Sequence, residues 1–420
     1  MSQNNEDNME EKEDPILEDS IVISEEAEEA LAEIQEEGNR KKRMWLLLLL
    51  LLLLLCSCGL FVRYLVQPEP LPDIILPFTG PGSELSYPPH YLFSIYGLSQ
   101  PVGVTLSPDE QLIYVSESGD ERLIKVFDRS GNPVNSFAPP DTTQGYRSPV
   151  YMDTDDQGQL YVTDRLQHSI VIYSREGKYL DSILGTDLLL SEFIAKHIQG
   201  NMPEEITFSY NIITRELKYK LQEDGEEFSL PDPDPAVWAP LGLWINKNND
   251  VFITDVFEGQ HRVLTFKNLN KVKFGRGEDF DPKPRSFGAS GQNAGEFLYP
   301  NKVVVDSQGR YYVSDGNNGR ISVWGDEFLY QFGRGTGDGA LSLPRGLMID
   351  DRDRLYVVDA VDHAVKVYDV SGDEPIFLFK FGNLGIDDGL FNFPNDIAID
   401  STGRLYITDR ENQRIQVWSY

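Results

Sequence analysis

PNDIAIDSTGRLYITDRENQRIQVW, residues 394–418, is the stretch that decides the fold, because the chain writes it six times. Copies open at Pro101 (PVGVTLSPDEQLIYVSES), Pro149 (PVYMDTDDQGQLYVTDR), Pro240 (PLGLWINKNNDVFITDV), Pro300 (PNKVVVDSQGRYYVSDG), Pro344 (PRGLMIDDRDRLYVVDA) and Pro394. Each begins with a short alternating segment and a turn of Asp, Asn, Ser and Gly. A run of the type Leu-Tyr-Val-x-Asp follows, with β-branched and aromatic residues at the period-two spacing of a strand. After a polar loop comes a third strand ending in an aromatic: Phe127, Tyr173, Phe266, Trp324, Tyr368 or Trp418. A weaker fourth strand has the flavour of FLYQFG and FLFKFG.

Four antiparallel strands per copy make a blade, and six blades predict an all-β, six-bladed β-propeller over residues 90–420. The last copy stops at Tyr420, straight after its third strand. HYLFSIYG, residues 90–97, reads as the missing fourth strand and is expected to latch the ring, removing an exposed sheet edge. The spacing from Pro149 to Pro240 is about twice that of most other neighbours. The insertion at about 187–237 holds a helix-like piece, LLLSEFIAKHIQG, and two alternating runs, EITFSYNII and ELKYKLQE, expected to pair as a β-hairpin. The link from a fourth strand to the next first strand lies at the end of the ring that also carries the loops after Leu-Tyr-Val-x-Asp. Large insertions at one end mark a binding face.

These elements resemble the NHL repeat family, whose signature includes N-x-R-[IV]-x-V after the second strand. Asn318 with Arg320 and Asn412 with Arg414 fit it; Gln167 with Ser169 and Asp362 with Ala364 depart from it, and Ser116 stands where other copies read Asp. The resemblance implies a six-bladed ring. Some members bind RNA, but a net charge of -31 without a basic stripe argues against a nucleic-acid partner here.

Ahead of the ring, residues 1–43 form an acidic tail, with 15 acids and one Lys in 1–39, and are expected to be mostly disordered and cytoplasmic. Residues 44–66 centre on ten consecutive leucines, Leu46–Leu55, and read as a single transmembrane signal-anchor. The cluster Arg40, Lys41, Lys42 and Arg43 on one flank, against Arg63 on the other, sends the ring outside the cell by the positive-inside rule. Leu-Cys-Ser-Cys ending at Cys58 offers the alternative of a cleaved lipoprotein signal. Residues 67–89 are a Pro-rich, semi-rigid linker. No Asn-x-Ser/Thr acceptor occurs, in keeping with a bacterial origin.

The recurrent acids Asp164, Asp255, Asp315, Asp359 and Asp409 are expected to accept backbone N–H bonds. His168, His261 and His363 share a phase of the repeat and read as loop variants, so no metal or other cofactor is predicted. GRGEDF and GRGTGDG are Gly-rich but are taken to follow a fourth strand and precede no helix, unlike a phosphate loop. Trp238 and Trp244 are expected mainly in the core. The channel mouth at the insertion end should present Tyr151, Asn301, Lys302, Arg345, Asn395 and Asp396, with Arg165, Asn317 and Arg410 on nearby loops. That set can grip a polar ligand or a protein partner, and no catalytic residue is assigned. The expected role is a binding or scaffold module; the alternative is a propeller enzyme (a lactonase, lyase or hydrolase) acting at the channel mouth.

Overall fold

A computed structural model describes residues 44–45, 47–57, 87–140, 142–183, 207–211, 216–220, 225–230, 238–266 and 285–420. The chain divides into two units, residues 1–69 and 70–420. In the first, the described residues 44–45 and 47–57 are helical. Among the described residues no helix is long and apolar enough to cross a membrane. The acidic tail, Cys58 and the linker up to residue 86 lie outside the described residues, as does the helix-like piece of the insertion.

The second unit holds six four-stranded antiparallel sheets. Their first strands are Pro101–Leu106, Pro149–Thr154, Pro240–Ile245, Pro300–Val305, Pro344–Ile349 and Pro394–Ile399, in blades 1 to 6. Each first strand touches the first strands of both neighbours, so the six form a closed inner ring. In blade 6 the fourth strand is His90–Ile95, which pairs with Arg414–Ser419 from His90 opposite Ser419 to Ile95 opposite Ile415. The expected latch therefore joins the first blade-forming segment to the last strand, and the ring has no open seam.

Alternating patterns put one face of each sheet against each neighbour, and the core is divided accordingly. Six buried clusters fill the six gaps between blades. The gap between blades 2 and 3, for instance, is filled by Ile170, Trp238, Leu243 and Ile253. Trp238 is fully buried and Trp244 packs on Phe252 at 5.2 Å between ring centroids, so both tryptophans are core residues.

Three details differ from the sequence reading. In blade 1 the residue opposite the opening proline is Glu117, not Ser116, because the turn closed by the Ser107 N–H on the Leu112 carbonyl is one residue longer than its counterparts, such as Asp155 to Gln159. Ser116 instead matches Thr163, Thr254, Ser314 and Thr408. In blade 3 the fourth strand is Arg285–Phe287, so GRGEDF precedes that strand and does not follow it. The insertion holds three strands, Thr207–Asn211, Glu216–Lys220 and Glu227–Leu230, in an antiparallel sheet. The third strand has only four residues, too short a run for its alternation to stand out; Tyr219 stacked on Phe228 at 5.4 Å helps hold it.

Candidate binding site at the channel mouth

Two kinds of contact set the inner ring. A hydroxyl on the second strand accepts from its own blade and donates to the next. Ser116 Oγ accepts the Gly103 N–H and donates to the Val150 carbonyl at 2.5 Å. Thr163 donates to the Leu241 carbonyl, Thr254 to that of Asn301, Ser314 to that of Arg345 and Thr408 to that of Val102. Blade 5 has Val358 there and omits the stitch. The second contact is steric. Two residues after the opening proline, blades 1, 3 and 5 carry Gly103, Gly242 and Gly346, while blades 2, 4 and 6 carry Tyr151, Lys302 and Asp396. A Cβ on Gly242 would run into the Asn301 carbonyl, and one on Gly346 would stand 2.6 Å from the Asp396 Cα. The glycines thus let the even blades come close.

The three large side chains of the even blades meet across the channel. Lys302 Nζ donates to Asp396 Oδ1 at 2.8 Å and lies 5.6 Å from the Tyr151 ring centroid. The Val104 N–H donates to the other Asp396 oxygen at 3.1 Å. All three are buried. Burial pushes the Asp396 carboxyl upward and the adjacent ammonium opposes it; burial likewise raises the Tyr151 phenol. Tyr151, Lys302 and Asp396 therefore plug the channel and do not line the cavity expected to hold a ligand: Lys302 and Asp396 spend their charges on each other, and the Tyr151 hydroxyl accepts Asn395 Nδ2 at 3.4 Å.

Above this plug is a cavity of about 320 Å³. Arg165, Asn301, Asn317, Arg345, Asn395 and Arg410, six of the nine residues singled out from the sequence, all line it. Sequence reasoning missed Ser118, Ser148, Val150, Val256 and Tyr299. Ser118 and Val256 directly follow the second-strand carboxylate, at the phase of Arg165 and Arg410, so the repeat itself carried that signal. Tyr299 precedes an opening proline and takes a left-handed φ of 56°, which no residue pattern announces.

Around the cavity every carboxylate of the repeat is already engaged. Asp315 accepts the Leu298 N–H at 2.6 Å, Asn318 Nδ2 at 2.8 Å and Arg320 Nε at 2.8 Å. Asp409 does the same with Asn392, Asn412 and Arg414. Arg320 and Arg414 also donate to carbonyls of the incoming loop, so the N-x-R element ties each link to its blade. Glu117 takes the same role in blade 1, accepting the Ser99 N–H at 2.7 Å and facing Lys125 at 3.0 Å. Blade 2 has Ser169 in place of the cation, and burial pushes Asp164 up to about 6 despite the donated N–H groups of Ser148, Leu166 and Gln167. The histidines are spread among different interblade links. His363 Nδ1 accepts the Phe393 N–H at 3.0 Å, His261 packs on Tyr299, and His168 Nδ1 lies 3.3 Å from the Trp238 carbonyl. Among the described residues no group of three or more His, Cys, Asp or Glu is placed to hold a metal ion.

Fold and site together define a six-bladed propeller with a plugged channel and a cavity at one end. Residues 297–324 and 391–418, spanning most of the first three strands of blades 4 and 6, match the NHL repeat family model, so the protein carries NHL repeats within that ring. A 145-residue stretch is 30% identical to Protein brain tumor of Drosophila melanogaster, covering 34% of this chain and 12% of that protein. Among solved structures, a streptogramin B lyase aligns over 79% of this chain and 98% of its own, at 13% identity and a TM-score of 0.46. A virginiamycin B lyase from Staphylococcus aureus covers the same 79% and 99% of its own chain, at 14% identity and 0.44. A protein of unknown function from Bacteroides thetaiotaomicron covers 79% and 72%, at 14% identity and 0.48.

Proposed function

We propose that this protein is a membrane-anchored, extracytoplasmic binding propeller that recruits a protein partner or ligand at the cavity end of its ring. The observation that carries the reading is the concentration of features at that end. The insertion leaves and re-enters the ring there. Tyr146, Leu166, Tyr299, Val361, Leu384, Ile386 and Phe393 are exposed on its loops, and exposed apolar side chains gathered in one region favour association. The cavity lining supplies guanidinium, carboxamide and hydroxyl groups but no imidazole, thiol or carboxylate, a set suited to holding charge and poorly suited to moving protons near neutral pH. Anchoring rests on the leucine run and its basic flank.

Two experiments test this. A photo-crosslinking residue at Phe393 should capture a partner in native membranes, whereas one at Ser401, at the opposite end, should not. Equal capture at both positions would refute the choice of face. Protease added to intact cells should degrade the ring and spare residues 1–43; a degraded tail with a protected ring would reverse the topology.

A further inference from the structure

The cavity is divided by chemistry in a way that specifies what fits it. Blades 1 to 3 contribute Val102, Val150, Leu241 and Val256, a mostly apolar wall that also carries Ser118, Ser148 and Arg165. Blades 4 to 6 contribute Asn301, Asn317, Arg345, Asn395 and Arg410, a wall of donors. Three arginines line one cavity without any acid among the lining residues, in a chain whose net charge is -31. The nearby acids cannot neutralise them fully. Asp396 is paired with Lys302 in the plug, and the repeat carboxylates are bound to backbone N–H groups and to the structural cations behind the cavity. Arg345 is held by neutral partners, a long 3.4 Å contact from Nη1 to Asn301 Oδ1 and the Tyr151 hydroxyl, and by no carboxylate among the described residues. Arg410 lies 3.6 Å from the partly exposed Glu411, and its buried Nε has no acceptor among the described residues. Guanidinium groups match the planar fork of a carboxylate, and a donor left buried without a partner is costly unless a ligand or water takes it.

We infer that the cavity binds an amphipathic carboxylate, its apolar body against blades 1 to 3 and its oxyanion head toward Arg345 and Arg410. Two sources share this chemistry: a free small organic acid, and the C-terminal carboxylate of a peptide ending in an apolar residue. The inference rests on the cavity end being the binding face, but it fails separately, since crosslinking at Phe393 does not depend on the ligand's charge.

The test titrates the full chain calorimetrically with hexanoate, with the peptide acetyl-Ala-Ala-Leu bearing a free carboxylate, and with the same peptide as its C-terminal amide. A carboxylate probe should bind, and the amide should bind at least tenfold more weakly. Hexanoate and peptide of equal strength would point to a small organic acid; a much tighter peptide would point to a chain terminus. Arg345→Gln and Arg410→Gln should each lower affinity roughly tenfold, the loss of one charge-assisted hydrogen bond, with the melting temperature checking that each variant folds. Arg352→Gln, in a turn at the opposite end, should change nothing. The proposal is overturned if neither carboxylate binds at millimolar concentration, if the amide binds as well as the acid, if both cavity variants bind like the parent, or if single-stranded RNA outcompetes both probes.

Discussion

The two ends of the ring solve the same problem, how to turn a chain without wasting polar groups, by opposite means. At the end away from the cavity the solution is local. Asp306 accepts the N–H groups of Gln308 and Arg310, and its second oxygen takes the Tyr312 hydroxyl at 3.1 Å. Asp155, Asp350 and Asp400 repeat the arrangement with Tyr161, Tyr356 and Tyr406. Their oxygens are filled mainly by donors from within seven residues of chain, with Arg129 added at Asp400 at 2.8 Å. At the cavity end the carboxylates instead bind links arriving from the previous blade, and the closing contacts span longer stretches of chain. Local closure leaves no spare donor; long-range closure leaves arginines facing an open cavity. An end built from turns is finished by its own sequence, whereas an end built from links keeps capacity for something else.

Breaking a tie at the cavity end should have the largest effect. Arg320 and Asp315 are fully buried and 2.8 Å apart, so Arg320→Ala should cost roughly 3–5 kcal/mol, because it strands a buried carboxylate. Urea unfolding measures it. A loss below 1 kcal/mol would mean that the links are held mainly by packing, and the contrast between the ends would weaken.

The blade that lacks this cation sharpens the comparison through pH. Asp164, raised to about 6 against an ordinary 3.8, binds its proton more tightly in the folded state. Its contribution to stability is therefore fully present below about pH 4 and is lost as pH rises through about 6, a change on the order of 3 kcal/mol. Asp164→Asn should remove that slope between pH 4 and 6, read by chemical denaturation at several pH values. A parallel pair of curves for parent and variant would place the Asp164 titration at its ordinary position.

The smallest effect belongs to the turn end. Glu110 accepts the Ser401 N–H and hydroxyl at 2.7 and 2.6 Å on the exposed surface. Glu110→Ala should cost about 0.5–1 kcal/mol, since exposed polar contacts compete with water. A loss as large as that of Arg320→Ala would erase the distinction between the two ends.

What could be read beforehand followed the same division. The repeat announced the blades, the latch and the phase of the cavity residues, since each of these recurs or completes a recurring unit. Hence Arg165, Arg345, Asn395 and Arg410 could be placed together. Tyr151, Lys302 and Asp396 were misplaced because whether an inward side chain meets a ligand or its opposite number depends on the residues across the channel, which no single copy contains. The Glu117 register failed for a related reason: one extra turn residue shifts the alignment, and only strand pairing reveals it.

The alternation of small and large residues around the channel has its counterpart at the other end. There the turns of blades 1, 3 and 5 carry Glu110, Asn249 and Asp353 with left-handed φ of 55–57°, each bonded to an even neighbour, while blades 2, 4 and 6 carry Gly158, Gly309 and Gly403 at the matching turn. Blades in this ring consequently have parity. A blade moved by one place would set glycine beside glycine, or bulk against bulk, at both ends at once; moved by two places it would find familiar neighbours. The interchangeable part of this molecule is the blade pair, and recombination or engineering that respects that count meets the least resistance.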